Sequence, residues 1–442
     1  MLAALAITSS CSGGGGRGAL APDPQPGSTV IAEASIGPSG GTLSVAQGAG
    51  AGVQLSVPPG AVSVPTNFRV LLDTVNGEIP SAFPIYRFEP GALDLNGQSV
   101  SVTVPASEAF FASATPSVTV FSRDQAGAPW RALTSTTLDV TARAATATTD
   151  RLGDMVVWDG NLHRLFTQPH GFLDPAVDAE IELVGGVEVL AEGGSIQRQV
   201  GRGSMASFWN SPASDNVVIL HGALGSPLDF LGTEDLVENL ALTYDNVVLF
   251  SYPSARGVAY AANELYDQIL ANRNPGFGCR LVGHSLGALI GRYLLEASPT
   301  DTARSGYSEQ DPSLVSVVDR LVMMAPPNAG AASAVGPFSL LEPLLTPSEA
   351  YLLQASSDLS ERPDSLPFQL NAAYVDNATR YHVIYGDIGN GTDGVVPVAS
   401  ALALPMGPDE TATLFLAQHD DLHRLATSLG VASWLGSILQ GQ

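Results

Sequence analysis

Arg280-Leu281-Val282-Gly283-His284-Ser285-Leu286-Gly287-Ala288-Leu289-Ile290-Gly291-Arg292-Tyr293-Leu294-Leu295 decides how the rest of the chain is read. A short apolar run enters it, Gly283-x-Ser285-x-Gly287 comes next, and Leu286, Leu289, Ile290, Tyr293 and Leu294 then recur at helical spacing. The pattern predicts strand, sharp turn and helix, with Ser285 on the turn. A turn of this kind presents a serine hydroxyl as a nucleophile. Gly283 and Gly287 are expected where strand and helix approach too closely for a Cβ. Amides at the helix start would face an oxyanion formed at Ser285. The same pattern occurs again at Gly37-Pro38-Ser39-Gly40-Gly41. Turn residues flank it there and no helical spacing comes after it, so it reads as a loop.

The 442 residues predict two or three domains, and an apolar content of 45% supports large cores. A net charge of −24 and a pI near 4.4 argue against nucleic-acid binding, which needs clustered Lys and Arg. No apolar run is long enough to span a bilayer. Two cysteines, Cys11 and Cys279, exclude a disulfide framework. Cys279 opens the strand before Ser285 and reads as a small buried hydrophobe. Residues 1–28 read as a signal remnant and Gly-rich tether. Met1 to Ile7 is apolar, Thr8-Ser9-Ser10 are small, and Gly13 to Gly16 come after Cys11. This resembles the end of a bacterial lipoprotein signal, with Cys11 lipidated as a membrane tether. It lacks the usual Leu three before the Cys and a basic start, and an ordinary secretory signal is the alternative. Either reading implies export, to the cell envelope or the medium.

Residues 29–160 read as all-β. Short Val- and Thr-rich runs are punctuated by Gly and Pro: Thr42–Val45, Val53–Val57, Phe68–Leu72, Ser99–Val104, Ser117–Phe121, Leu138–Ala142 and Met155–Trp158. That spacing predicts a β-sandwich. Ile36-Gly37-Pro38-Ser39-Gly40-Gly41, Val57-Pro58-Pro59-Gly60-Ala61 and Tyr86-Arg87-Phe88-Glu89-Pro90-Gly91 resemble the sandwich domain shared by ankyrins and netrin receptors. Some relatives cleave themselves at His-Phe-Ser; this chain has no such sequence. A spacer or adhesion module and a bare structural appendage are both open as its role, and its partner is not readable. Residues 161–214 read as a join, with Ile181–Leu190 alternating like a strand and Ser195–Trp209 able to hold another. His163 and His170 lie there without metal-ligand spacing.

Residues 215–442 alternate strand and helix. Strands are expected at Asn216–His221, Asn246–Tyr252, Arg280–His284, Val317–Met324, Tyr381–Tyr385 and Thr411–Ala417. Helices are expected at Leu228–Leu242 and Val258–Ala271, with a closing helix at Leu422–Leu439. Apolar strands alternating with helices mean a mostly parallel sheet covered on both faces, with ligands at the carboxyl ends of its strands. Four segments should meet there. His221-Gly222-Ala223-Leu224-Gly225 sits directly after its strand, and the amides of Ala223 and Leu286 would form an oxyanion hole. Ser285 needs a base. Asp393, in Gly391-Thr392-Asp393-Gly394-Val395-Val396-Pro397, is the candidate acid, preferred to Asp387. His419, directly after the last strand, is the candidate base, preferred to His423. The chain order Ser, Asp, His is that of α/β-hydrolases.

The segment from Gly222 onward resembles the lipase and serine-esterase branch of the α/β-hydrolase superfamily, near bacterial triacylglycerol lipases and GPI inositol-deacylase-like proteins. The matching pieces are His221-Gly222, Gly283-His284-Ser285-Leu286-Gly287, Pro327-Asn328-Ala329-Gly330, Asp358-Leu359, Leu370-Asn371, Asp393-Gly394-Val395-Val396-Pro397 and His419-Asp420-Asp421-Leu422. Relatives more often carry His where Asn328 stands. The resemblance implies hydrolysis of ester or lipid substrates through a Ser-His-Asp triad, without cofactor or metal. Another acyl-transfer activity (thioesterase, amidase or acyltransferase) and a non-catalytic surface adhesion protein are the alternatives. Between Gly336 and Arg380 the text is apolar and helix-like, as a lid over an acyl site or as a packed excursion.

Overall fold

The computed structural model describes residues 28–158, 171–173, 181–190 and 208–441. Short breaks fall at 74–78, 81, 92, 108–109, 112–117, 126–129, 134, 185–186, 231–235, 297–316, 340, 343–344, 374–378, 408–409 and 425–428. Cys11, His163, His170 and residues 195–207 lie outside the described residues.

Period-two alternation builds the first part of the chain. Strands β1 (Ser28–Ile36), β2 (Gly41–Ser44), β3 (Gln54–Val57), β4 (Thr66–Asp73), β5 (Ile85–Glu89), β6 (Val100–Pro105), β7 (Thr119–Arg123), β8 (Arg131–Ala132), β9 (Thr137–Asp139), β10 (Ala144–Thr149) and β11 (Asp154–Trp158) pair antiparallel in two sheets. Their orders are β1-β4-β5-β11-β7-β8 and β2-β3-β6-β10-β9. In β6, Val100, Val102 and Val104 are buried while Ser101, Thr103 and Pro105 are half-exposed. Leu55 and Val102 of one sheet share a core with Phe68, Phe88 and Trp158 of the other. A fully buried Asp154 bridges Arg87 at 2.6 Å and Arg123 at 3.0 Å. The strand expected at Leu138–Ala142 stops at Asp139, whose carboxylate accepts from the amides of Thr141 and Ala142 and turns the chain. The second Gly-x-Ser-x-Gly is the turn between β1 and β2, closed by Gly40 N–H to Gly37 O at 3.0 Å.

The second part is one seven-stranded sheet. Its strands are β12 (Gly171–Leu173), β15 (Asn216–Leu220), β16 (Asn246–Ser251), β17 (Cys279–His284), β18 (Val318–Met324), β19 (Arg380–Gly386) and β20 (Thr411–Phe415), in the order β12-β16-β15-β17-β18-β19-β20. A separate hairpin joins β13 (Ile181–Val184) to β14 (Val187–Leu190). All neighbours in the large sheet run parallel except β12, which is antiparallel to β16. The helices are α1 (Leu236–Ala241), α2 (Val258–Asn272), α3 (Leu286–Glu296), α4 (Ala332–Ser339), α5 (Gln354–Asp358), α6 (Leu366–Ala373), α7 (Val398–Ala401), α8 (Asp421–Arg424) and α9 (Val431–Gln440). Along β15, Val218 and Leu220 pack with α2 and α3, and Val217 and Ile219 pack with α1 and α9. Both faces are therefore buried, which is why every residue of β15, β16 and β17 is buried. A mostly parallel sheet in this order, with one antiparallel edge strand, is the α/β-hydrolase architecture.

The join supplies β12 to the large sheet, and Asn216 Nδ2 donates back to Phe208 O, Ser211 O and Gly278 O. Two expected helices are corrected. The helix expected at Leu228–Leu242 is a 3-10 turn at Pro227–Phe230 and then α1. The closing helix is two pieces, α8 and α9, because Gly430 takes a left-handed φ of 76° at the start of α9. No helix among the described residues is long and apolar enough to cross a membrane.

Candidate active site

Ser285 stands between β17 and α3 with φ at 53°, a left-handed conformation that costs a non-glycine residue about 1–3 kcal/mol. The glycines on either side allow it. An ideal Cβ on Gly283 would lie 2.5 Å from Gly287 O, and one on Gly287 would lie 2.6 Å from His221 O. Ser285 N–H donates to Met324 O of the neighbouring strand at 2.8 Å. Leu286 opens α3, so its amide belongs to the first turn, where no intrahelical acceptor exists.

The loop after β15 closes on the same point. A Cβ on Gly222 would lie 2.9 Å from His284 Nδ1 and 3.2 Å from Ser285 Cβ, so Gly222 brings the backbone against the serine and Ala223 comes directly after it. His221 supports this loop from behind. Its ring stacks on Tyr252 with centroids 3.9 Å apart, and its Nε2 accepts from Tyr252 N–H at 3.4 Å. Its Nδ1–H donates to Gly222 O at 2.9 Å.

Asp393 and His419 meet from two other loops. His419 Nδ1–H donates to Asp393 Oδ2 at 2.8 Å, and His419 N–H donates to Asp393 O at 2.9 Å. Asp393 Oδ1 accepts the amides of Val395 and Val396 at 2.9 and 2.7 Å. The carboxylate, 2% exposed, is thus fixed from both oxygens, with the Val395 and Val396 amides on one of them. The last residue of β19, Gly386, has no room for a side chain, since a Cβ there would lie 2.8 Å from Asp393 Cβ. Asp387, the rival acid, turns its Oδ1 onto the amides of Gly389, Asn390 and Gly391 in its own loop. Those amides pull its pKa down.

His284, the residue before Ser285, ties the two halves together. Its Nε2–H donates to His419 O at 3.2 Å, and the two rings lie 4.7 Å apart. His423 packs against His284 at 4.3 Å and against Phe230 at 5.0 Å, and neither of its ring nitrogens has a hydrogen-bond partner among the described residues. Burial holds His284 well below the usual histidine range and pushes His423 down to about 3, so both are neutral imidazoles at neutral pH. The ring paired with a carboxylate is that of His419.

Asn328, Asn371 and Asp358, from the pieces that carry the resemblance, hold the scaffold, the first two through Arg292. Arg292 on α3 is fully buried, paired with Glu296 at 2.8 Å, and donates to Asn328 Oδ1 and Asn371 Oδ1, both at 2.9 Å. Asn328 Nδ2 donates to Ala401 O at 2.8 Å. Asn328 is therefore a tie between α3 and the loops beyond β18 and α7. Asp358 accepts Val258 N–H at 2.7 Å and caps α2 from the insert. The insert contains α4, α5 and α6 and a cavity of about 600 Å³ lined by Val335, Leu345, Leu353, Ser356 and Arg362 among others. Ser285, Asp393 and His419 are not among its lining residues.

Among the described residues one set of side chains has metal-ligand spacing: donor atoms of His284, His419 and Asp420 lie within 4.8 Å of one another. Two of these three already hold other partners at the site, Asp393 for His419 and the His419 carbonyl for His284.

No protein-family model matches the chain, and no curated protein matches it. Solved structures do resemble it over about half its length. The mature lipase BlEst2 of Bacillus licheniformis is 17% identical over 51% of this chain and 94% of its own, with a TM-score of 0.32. A monoacylglycerol lipase of Paleococcus ferrophilus is 16% identical over 52% and 96%, with a TM-score of 0.34. The phospholipase PlaB of Legionella pneumophila is 19% identical over 51% and 60%, with a TM-score of 0.37. Strand order and the Ser285 turn define the fold independently of these likenesses.

Proposed function

We propose that the protein is a serine hydrolase of carboxylic esters, acting through an acyl-enzyme. Ser285 Oγ attacks the ester carbonyl while His419 Nε2 takes its proton, then returns it to the leaving alcohol. Water, deprotonated by the same nitrogen, releases the acid. Asp393 holds the imidazole in the Nδ1–H tautomer and stabilises its protonated form. The amides of Ala223 and Leu286 receive the oxyanion; losing one such donor typically costs about 3–4 kcal/mol of transition-state stabilisation. The observation that carries this reading is the buried 2.8 Å His419–Asp393 contact, with the His419 ring 4.7 Å from that of His284, the residue before a serine held at a left-handed φ of 53°. The chemistry needs no cofactor.

Ester or lipid substrates are proposed, with export as the setting and Cys11 as a tether. Labelling by a fluorophosphonate and turnover of p-nitrophenyl esters, both lost in Ser285→Ala with the melting temperature kept, would support the reading. Labelling that survives in Ser285→Ala, or an unlabelled wild type without esterase activity, would overturn it. Activity confined to thioesters, amides or acyl transfer would select the other acyl-transfer reading.

A further inference from the structure

The loop that carries Ala223 contains a second strained residue. Leu224 has a φ of 59°, as unfavourable for a leucine as the Ser285 conformation is for a serine. Strain of this kind persists only where the surroundings over-determine it, and here they come from the end of the neighbouring strand β16. Leu224 N–H donates to Ser254 Oγ at 3.1 Å, and Ser254 is fully buried. Two residues earlier, the Tyr252 hydroxyl donates to His221 O, and Tyr252 N–H donates to His221 Nε2. Three hydrogen bonds from Tyr252 and Ser254 therefore grip the loop on both sides of Gly222 and Ala223. Their own turn is anchored as well. Gly257, at φ 85°, leaves room for Asp358, whose carboxylate accepts the first amide of α2. A loop fixed at 221 and at 224 has little freedom left at 223.

We infer that Ser254 is a positioning residue for catalysis: by holding Leu224 in its left-handed conformation it aims the Ala223 amide at the oxyanion. The inference rests on the serine-hydrolase reading above. Ser254 touches neither substrate nor the reacting atoms, and its effect passes through the loop. Removing its oxygen frees Leu224 to relax towards an ordinary φ. The backbone of Ala223 then shifts with it, and that backbone carries the donor. Misplacement of a catalytic group by about 1 Å costs on the order of 100-fold in rate.

Ser254→Ala, assayed with a soluble p-nitrophenyl ester, should lower kcat about 10- to 100-fold with KM unchanged and a cooperative melt retained. Ser254→Thr, which keeps an acceptor oxygen at that position, should recover most of the rate. Tyr252→Phe, which removes one of the two bonds at His221 and leaves Ser254 in place, should show a smaller loss in kcat. An unchanged kcat in folded Ser254→Ala overturns the assignment, as does a failure of Ser254→Thr to outperform it. A wild type that neither hydrolyses esters nor reacts with fluorophosphonate would instead remove the underlying reading, so the two failures are distinguishable.

Discussion

Replacing His423 with phenylalanine isolates one buried group whose protonation the fold forbids. The ring is 3% exposed, packs against Phe230 and His284, and has no partner for either nitrogen among the described residues. Its pKa falls from 6.5 to about 3, chiefly through burial, with Arg424 and His419 adding repulsion. A depressed histidine pKa means that the unfolded chain binds the extra proton as pH falls below 6.5. Folding stability from this group is therefore intact above pH 6.5 and is lost as pH drops towards 3. Between pH 8 and pH 5 the loss is about 2 kcal/mol, from RT ln(1 + 10^1.5). His423→Phe abolishes that contribution. The gap in unfolding free energy between variant and wild type should thus shift by about 2 kcal/mol in favour of the variant between pH 8 and pH 5. At pH 8 itself the orphaned nitrogens and the extra bulk of phenylalanine oppose each other, at about 1–3 kcal/mol each. Urea unfolding at the two pH values measures the shift, and ester turnover should survive within several-fold. Identical pH dependence in variant and wild type would refute a neutral His423. Lost turnover beside an active His419→Ala would reverse the assignment of the base.

Asp393→Asn should leave the fold intact but lower kcat on the order of 10³- to 10⁴-fold, because an amide cannot hold the Nδ1–H tautomer with a charge behind it; steady-state kinetics checks this. Gly287→Ala places a methyl against His221 O and Leu220 O, both backbone, so the elbow must open; expression with a lowered melting temperature and no fluorophosphonate labelling is expected. Arg292→Ala leaves the buried Glu296 without its cationic partner and Asn328 Oδ1 and the half-buried Asn371 Oδ1 without this donor, and chemical denaturation should show a loss of about 3–5 kcal/mol. Removing Asp358 as Asp358→Ala uncaps α2 from across the insert and should cost about 1–2 kcal/mol in the same assay.

Local rules carry far in this chain. The Ser285 turn was legible because its glycines and helical spacing sit within one short, continuous stretch. Most strands of the large sheet were legible because burial on both faces demands continuous apolar runs. In the sandwich, β10 was not: Ala144–Thr149 is built of alanine and threonine alone and offers little contrast in hydropathy. The Gly-x-Ser-x-Gly at Gly37 shows the limit of a bare pattern, since Ser39 leads into strand β2 and not into a helix. The insert contained clear helix-like text, yet nothing in it announced that Asp358 would cap a helix beginning 100 residues earlier.

By itself, then, the sequence determined most strands of the large sheet, the Ser285 turn and the residue types at the sheet's rim, because backbone sterics and periodicity act between near neighbours. Only the tertiary structure decided which carboxylate meets which imidazole. Asp393 and His419 are 26 residues apart in the chain, and Leu224 and Ser254 are 30 apart. Their meeting is set by the register and order of parallel strands, a property of the assembled sheet that no single segment contains.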